Sequence, residues 1–317
     1  MKSVAAVVLA LVALIPGLAG PPEGAESEAP EGAEATSLLG RPLYPPPLGD
    51  DVRRDREHKL VSARERLAAD PASLDALIWC GRRTAYLGRY REAVEIFGRG
   101  LALHPDEPRL YRHRGHRFVT LRRFDQAVRD LERAAELIEG QEDRVEEDGL
   151  PNARNQPTST LQSNIWYHLG LAYFLKADFT NALRCFTECL EVSRNPDMLC
   201  ATTHWLYVTQ RRLGRDDDAQ TALEPIGAEM DIIENHAYYR LLLMYKGEVG
   251  PEALLAEVRS GDGSIESATT GFGLANWYLV EGDRERAVEL MRAIVAAPQW
   301  AAFGSIAAEA DLARLAP

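Results

Sequence analysis

A spacing of 34 residues runs through much of this chain and constrains its fold more than any other feature of the sequence. The first copy places a glycine, an aromatic residue, an alanine and a large apolar residue at Gly81, Tyr90, Ala93 and Phe97. Adding 34 to these positions gives Gly115, Phe124, Ala127 and Leu131. The alanine column returns in the second half of the chain at Ala219, Ala253 and Ala287. Self-similarity at a fixed period of this length predicts stacked copies of one supersecondary unit.

Each copy has the pattern of two helices joined by a short polar turn, such as Gly88-Arg89. Apolar residues recur at helical spacing on both sides of that turn, so each unit is predicted to be a helical hairpin. A single hairpin cannot bury its apolar faces alone, and stacking is therefore obligatory. Gly81, Gly115 and Gly170 fall inside first helices, where glycine costs about 1 kcal/mol relative to alanine. We expect the partner helix to approach closely at these glycines.

The cleanest copy carries Trp166, Leu169, Gly170, Tyr173, Ala182 and Phe186. This pattern resembles the tetratricopeptide repeat family, and the resemblance covers roughly residues 74–299. It implies an all-α, right-handed superhelical solenoid of about six helical hairpins, with an N-terminal half-repeat helix and a C-terminal capping helix. In that family the first helices of successive repeats line a concave face that takes an extended peptide or a partner helix. The resemblance thus implies a function in protein binding.

The first residues have the pattern of an export signal. A charged start at Met1-Lys2-Ser3 is followed by an apolar run from Val4 to Ile15 and by small residues, which predicts a signal peptide over residues 1–19. The run is shorter than the roughly 20 residues that cross a bilayer as a helix. We therefore expect a periplasmic or secreted protein with no membrane span after signal removal. Residues 20–50 are rich in Pro, Gly and Glu, which predicts a disordered tether.

The remaining boundaries follow from the repeat register. Residues 51–71 are predicted to form the N-terminal half-repeat helix, 74–139 the first two repeats, 140–162 an acidic insertion loop, 163–299 repeats three to six, and 300–317 the capping helix. The insertion carries five acidic residues against one arginine within residues 142–148. Two interpretations stay open for it. It folds over the groove and occupies a basic patch there, or it is a mobile segment without a partner.

The distribution of charge along the chain indicates which class of partner it binds. A formal net charge of −12 excludes a general nucleic-acid binder, since phosphate neutralisation needs a basic footprint. Residues 109–123 nevertheless hold six arginines and two histidines with no acidic residue. Because the planar guanidinium fork binds carboxylates well, this segment predicts attraction of an acidic peptide. The alternative is a solvated surface whose arginine stems cover apolar neighbours.

The repeat register places a set of polar and aromatic side chains on the concave face. The predicted peptide-binding groove consists of Arg82, Tyr86, Arg109, Arg112, His116, Asn164, Tyr167, His204 and Arg211. Later first helices add aromatic and aliphatic residues. The groove is therefore predicted to be basic at one end and apolar at the other, which suits an acidic or amphipathic segment of a partner protein.

Enzymatic chemistry finds little support in the sequence. There is no HExxH, CxxC, GxSxG or phosphate-binding glycine loop, so no catalytic residue, metal ligand or cofactor is assigned. One alternative is a metal-dependent enzyme or carrier built on groove histidines, namely His113, His116, His168 and His204. A second alternative is a structural subunit that packs against copies of itself. The leading interpretation is a non-enzymatic interaction scaffold.

The four cysteines allow two interpretations. Cys189 and Cys200 fall on consecutive predicted helices, where a disulfide is reachable in an oxidising compartment. Cys80 and Cys189 occupy small-residue columns of the repeat, which instead favours buried thiols that fill tight contacts, and Cys185 is one turn from Cys189.

Overall fold

The computed structural model describes residues 30–261 and 263–315, and this part of the chain contains fourteen helices and one short two-stranded sheet. The first seven helices are α1 (Asp50–Ala69), α2 (Leu74–Tyr86), α3 (Tyr90–Leu103), α4 (Pro108–Thr120), α5 (Phe124–Ile138), α6 (Leu161–Leu175) and α7 (Phe179–Val192). The others are α8 (Pro196–Arg212), α9 (Asp216–Ala222), α10 (His236–Tyr245), α11 (Pro251–Ser260), α12 (Ile265–Val280), α13 (Arg284–Ala296) and α14 (Phe303–Leu315). The predicted signal peptide lies outside the described residues.

The helices pair into six hairpins, from α2–α3 to α12–α13, and the predicted all-α repeat solenoid is confirmed. Local sequence sets the helix starts. Ser73 caps α2 by accepting from the backbone N–H of Ala76, and Thr160 and Ser163 form a reciprocal capping box at α6. Several hairpin turns use a residue with positive φ, such as Gly88 at +78° and Ala177 at +61°. The fourth hairpin is irregular, since its second helix, α9, is only seven residues long.

The glycines inside the first helices lie under large side chains of the second helices. A Cβ added at Gly81 would come within 2.4 Å of the Phe97 ring, and one at Gly170 within 2.6 Å of the Phe186 ring. A Cβ added at Gly115 would come within 2.7 Å of the Leu131 side chain. The expected close approach is confirmed. The cost of glycine in these helices is offset by tight packing of the hairpin.

The prediction of disorder over residues 20–50 is corrected for residues 30–49, and residues 20–29 lie outside the described part of the chain. Residues 30–49 are described as an ordered segment with strands β1 (Ala35–Thr36) and β2 (Pro42–Leu43), and the Leu43 side chain is 2% exposed. The Trp300 indole N–H donates to the carbonyl of Tyr44 at 2.6 Å. Composition suggested too little apolar surface to order this segment. Its few apolar residues become buried because they join a core cluster formed by α2, α3, α4 and Trp300.

The C-terminal helix α14 does more than cover the last repeat. It packs on α12 and α13, as a capping helix does, and it also touches α6. Every residue from Gly304 to Leu312 is buried. The Glu309 carboxylate pairs with Arg122 in the turn between α4 and α5 at 2.8 Å, and Arg314 donates to the carbonyl of Leu175 at the end of α6. The helix therefore joins the last hairpin to α6 and to the turn between α4 and α5.

Two further findings concern compartment and cysteines. Within residues 30–261 and 263–315, no helix is long and apolar enough to cross a membrane. Cys80, Cys185, Cys189 and Cys200 are all buried free thiols. Burial raises the pKa of the Cys185, Cys189 and Cys200 thiols to about 12. The structure therefore agrees with the interpretation that these cysteines fill tight contacts.

Candidate functional site

The acidic insertion lies across the inner face of α2, α4 and α6, and Glu146 is the residue that anchors it there. Its carboxylate accepts a hydrogen bond from the Asn164 side chain at 2.6 Å and pairs with Arg112 at 3.1 Å. A third contact, at 3.4 Å, joins it to His113 Nε2. The Glu146 side chain is only 9% exposed. The structure thus favours the interpretation in which the insertion occupies the basic patch.

The backbone of the insertion adds further contacts to α2. The carbonyl of Glu147 accepts from Arg82 at 2.7 Å, and the carbonyl of Gly149 accepts from Arg83 at 2.7 Å. A Cβ at Gly149 would lie 2.0 Å from the Tyr86 hydroxyl oxygen, so only glycine allows the loop to approach this closely. The insertion is therefore fitted to the helix surface by shape as well as by charge.

Most of the arginines that looked like a free basic patch are neutralised inside the protein. Among the described residues, pairs with carboxylates join Arg109 to Glu107, Arg112 to Glu146, Arg114 to Asp130 and Arg122 to Glu309. Arg123 hydrogen-bonds Gln126. Arg117 differs, because no carboxylate within the described ranges forms an ion pair with it. Its guanidinium lies over the Tyr90 ring at 5.4 Å.

Two adjoining cavities remain on the inner face beside the insertion. The first, of about 230 Å³, is lined by Arg82, Ala85, Tyr86, Phe97, Arg112, His113, His116, Arg117, Asp148, Gly149 and Leu150. The second, of about 350 Å³, has Tyr167, Met198, Tyr238, Ile265 and Phe303 among its lining residues. Arg112 and His116 line both cavities. The two neighbouring cavities, the first basic and the second more apolar, are together called the inner cleft.

The histidines of the inner cleft are neutral. Burial lowers the pKa of His113, His116 and His168 well below the ordinary value, and the nearby arginines lower it further. His113 Nδ1 lies 2.7 Å from an Arg112 nitrogen. Because arginine can only donate, Nδ1 is the acceptor, and the proton sits on Nε2, facing Glu146. The positive charge of the cleft therefore comes from arginine alone.

The apolar end of the cleft has a fixed polar floor. The hydroxyl oxygens of Tyr167 and Tyr238 are 2.9 Å apart, and the Trp205 indole N–H donates to Tyr167 at 2.9 Å. The segment before α10 forms one wall and is held by Asp197, whose carboxylate accepts from backbone N–H groups of residues 233–235. On the rim, Ile265 is 60% exposed. Polar side chains, Glu234 and Glu266 among them, share the lining of this cavity with the apolar ones. A concavity that combines apolar surface with polar groups is typical of binding sites.

The structure sorts the nine predicted groove residues into two groups. Those that line the inner cleft are Arg82, Tyr86, Arg112, His116, Asn164 and Tyr167. Arg109, His204 and Arg211 lie outside it. Arg109 pairs with Glu107 and Asp75 on the other side of the insertion, His204 has no exposed surface, and Arg211 pairs with Asp216 and Glu281. Helix α8 is enclosed by α7, α9, α10 and α12, and this enclosure removes His204 from the accessible face.

Sequence reasoning missed Arg117, which lines the inner cleft, and the role of Glu146, which pairs with Arg112 beside it. Arg117 was not selected, although it follows His113 by one helical turn and so shares its face. Glu146 was recognised only as part of an acidic run, and nothing local distinguishes it from its neighbours. The proposed histidine site does not assemble either. In the portion of the chain described here, no three or more His, Cys, Asp or Glu side chains are arranged to hold a metal ion.

Comparisons with known proteins agree with the repeat assignment. Residues 163–196 match a family model described as tetratricopeptide repeat, so the predicted recognition is confirmed there. No curated protein is significantly similar in sequence to this chain. Among solved structures, a type IV pilus biogenesis factor, PilW, has a TM-score of 0.44 at 16% identity over 77% of this chain and 86% of its own. PilF from Pseudomonas aeruginosa has a TM-score of 0.43 at 17% identity, covering 77% and 85%.

A third solved structure, YrrB, is described as a tetratricopeptide repeat protein with an unusual peptide-binding site. It has a TM-score of 0.41 at 13% identity, over 75% of this chain and 92% of its own. At these scores, none of the three likenesses assigns a function to this chain.

Proposed function

We propose that this tetratricopeptide repeat protein is a non-enzymatic protein-interaction scaffold whose inner cleft receives a short, extended, acidic segment of a partner. The observation that carries this proposal is the position of the two cavities beside each other, with Arg112 and His116 lining both. Carboxylates of the segment meet the arginines at one end, and an apolar side chain enters the cavity between Tyr238 and Phe303 at the other.

The size of the cleft favours an extended segment over a helix. A bound helix needs a groove about 10–12 Å wide. Helix α14 of this chain packs on α12 and touches α6, and its Phe303 ring lies against His116 and His168, so it takes up space that such a groove would need. The remaining cavities, of about 230 and 350 Å³, hold individual side chains. Of the acidic and amphipathic ligands predicted from sequence, the acidic extended one fits better.

The insertion defines how binding begins. Glu146 already places a carboxylate on Arg112, in the manner expected of an acidic ligand. A partner segment that reaches Arg112 therefore replaces Glu146. Breaking the contacts that Glu146 makes inside the protein costs free energy, and this cost lowers the apparent affinity for the segment. The insertion thus acts as an internal competitor, and binding is selective for segments that make more contacts than Glu146 does.

The compartment belongs to the same proposal. The residues that carry the export signal lie outside the described part of the chain, so the evidence for it is the sequence pattern over residues 1–19. We propose that the scaffold works in the periplasm or outside the cell, on an exported partner. Sequencing the N-terminus of the protein recovered from each cell fraction tests this. An intact Met1 in the cytoplasmic fraction alone would refute export.

The binding proposal is tested with fluorescent peptides. A glutamate-rich peptide with one phenylalanine is compared by anisotropy with the same peptide carrying lysine for glutamate. We expect at least about tenfold preference for the acidic peptide, which corresponds to about 1.4 kcal/mol. The preference should be lost in Arg82→Glu, because the variant places a negative charge where the peptide carboxylates bind. Glu146→Gln should bind more tightly than the parent, because it weakens the internal competitor.

The control variant is Arg129→Glu, which makes the same charge change on an exposed position of α5. It should retain the parent's affinity. If Arg82→Glu and Arg129→Glu weaken binding equally, the preference comes from overall charge rather than from the inner cleft. Equal affinity of the parent for the acidic and basic peptides would also reject the proposal.

A further inference from the structure

The basic end of the inner cleft contains positive charge without matching negative charge. The Arg117 side chain is partly buried and lines the cavity of about 230 Å³. Across residues 30–261 and 263–315 it makes no ion pair, and its contact is with the face of the Tyr90 ring at 5.4 Å. A guanidinium carries five N–H donors, and burying a charge without a partner is unfavourable. The fold therefore holds Arg117 in a costly position.

The neighbours of Arg117 increase this imbalance. Arg82 and Arg112 line the same cavity, and only Arg112 has a carboxylate partner, Glu146. Arg82 donates instead to the Glu147 carbonyl and the Tyr86 hydroxyl. The pKa of Arg117 is lowered to about 10, mainly by burial and also by repulsion from Arg112 and Arg82. Two guanidinium groups thus face the cavity without carboxylate partners among the described residues.

Asp148 is the one carboxylate that lines this cavity. It forms no ion pair within the described ranges, and its Oδ2 is buried without a hydrogen-bond partner. Burial raises the pKa of the Asp148 carboxyl, and Glu234 raises it further. This side chain therefore does not neutralise Arg117 or Arg82 by direct contact. It sits at the edge of the cavity as a repulsive group for any anion that enters.

We propose that this cavity binds one small oxyanion, a phosphate or a carboxylate, held by Arg117 and Arg82. The inference deepens the proposed function, on whose cleft it rests, and identifies the group that the basic end recognises. Planar guanidinium groups form paired N–H···O bonds with oxyanions of both kinds. About 230 Å³ of space accommodates such an ion with some of its hydration, since a water occupies about 30 Å³ in the liquid. His116 is neutral and can donate without adding charge.

The experiment uses the full chain and free ions. Sodium phosphate, sodium sulfate and sodium acetate are titrated at constant ionic strength against sodium chloride, with the midpoint of thermal unfolding and titration calorimetry as readouts. We expect phosphate or acetate to raise the midpoint above that in chloride, since a ligand of the folded state stabilises it. The ion that binds more tightly identifies the source, a phosphorylated group or a carboxylate.

Two variants with opposite expected effects locate the site. Arg117→Gln should weaken binding of the preferred ion at least about tenfold, and Asp148→Asn should strengthen it about threefold, because it removes the repulsive carboxylate. Arg129→Gln, with the same charge change on exposed surface of α5, should leave binding unchanged. Circular dichroism in chloride establishes that each variant is folded. If Arg117→Gln does not fold, the Asp148→Asn result decides.

The outcomes are distinct from those of the peptide test. Midpoints that follow ionic strength alone, identical in all four salts, overturn the inference. Equal weakening in Arg117→Gln and Arg129→Gln overturns it too, because the effect is then general screening. Oxyanion binding at Arg117 without any acidic-peptide preference would retain the site and reject the scaffold proposal. Peptide binding that depends on Arg82 but is unaffected by phosphate and by Arg117→Gln would retain the scaffold proposal and reject the oxyanion site.

Discussion

Removal of the buried pair between Arg122 and Glu309 tests whether α14 is held against the turn between α4 and α5. The Glu309 carboxylate accepts from Arg122 Nε at 3.0 Å and Nη2 at 2.8 Å, and also from the backbone N–H of Leu38 at 2.7 Å. Both side chains are almost inaccessible, at 3% and 2% exposed. Glu309→Ala removes all three contacts and leaves the guanidinium buried. We expect a loss of about 3–5 kcal/mol in the free energy of unfolding, the range for breaking a buried pair.

A double-variant cycle separates this interaction from packing. Arg122→Met/Glu309→Leu replaces the charges with apolar side chains, and such replacements of buried pairs are often close to neutral. The double variant should therefore recover at least about 2 kcal/mol relative to the sum of the single variants, since the residues are in direct contact. Urea unfolding, followed by far-ultraviolet circular dichroism and by tryptophan fluorescence, measures each free energy.

An exposed pair provides the control. Glu257→Ala removes the partner of Arg240 at the surface, where such pairs contribute below about 1 kcal/mol. If Glu309→Ala costs no more than Glu257→Ala, then α14 is not locked against the turn between α4 and α5. The inner face would then be open to larger ligands, and the argument for a short extended segment would fail.

Three further predictions concern stability. Burial lowers the pKa of His204 to about 3. Below the unfolded value of about 6.5, only the unfolded chain takes up this proton, so the free energy of unfolding decreases as the pH is lowered. From pH 7 to pH 5 the parent should lose about 2 kcal/mol more than His204→Phe in urea titrations, and equal losses would contradict a neutral His204. Ala177→Gly should gain roughly 0.5 kcal/mol by relieving a positive φ, whereas Gly214→Ala should lose about 1 kcal/mol, and unchanged urea midpoints would reject this. Gly170→Ala should cost about 1–3 kcal/mol, because its Cβ would overlap the Phe186 ring, and a wild-type melting temperature would refute the contact.

The hairpins were predictable because their determinants are local and repeated. Glycine, alanine and aromatic columns at a 34-residue period identify which residues meet inside a hairpin, and the Gly115–Leu131 contact is an example. The short second helix of the fourth hairpin corresponds to a degenerate copy of the pattern, where the columns are weakest. The N-terminal segment was misjudged for the opposite reason. Its order depends on Trp300, more than 200 residues away in sequence.

For the inner cleft too, some features follow from the sequence and others only from the tertiary structure. The sequence by itself determined the repeat, the helical hairpins, and the position of Arg82, Arg112 and His116 on the inner helices, because helical periodicity assigns residues to faces. Only the tertiary structure decided which charges are free. Glu146 and Glu309 come from segments far along the chain, and they neutralise arginines that the sequence presents as an open patch. Charge pairing depends on distances of a few ångströms between remote segments, and one-dimensional periodicity does not encode them.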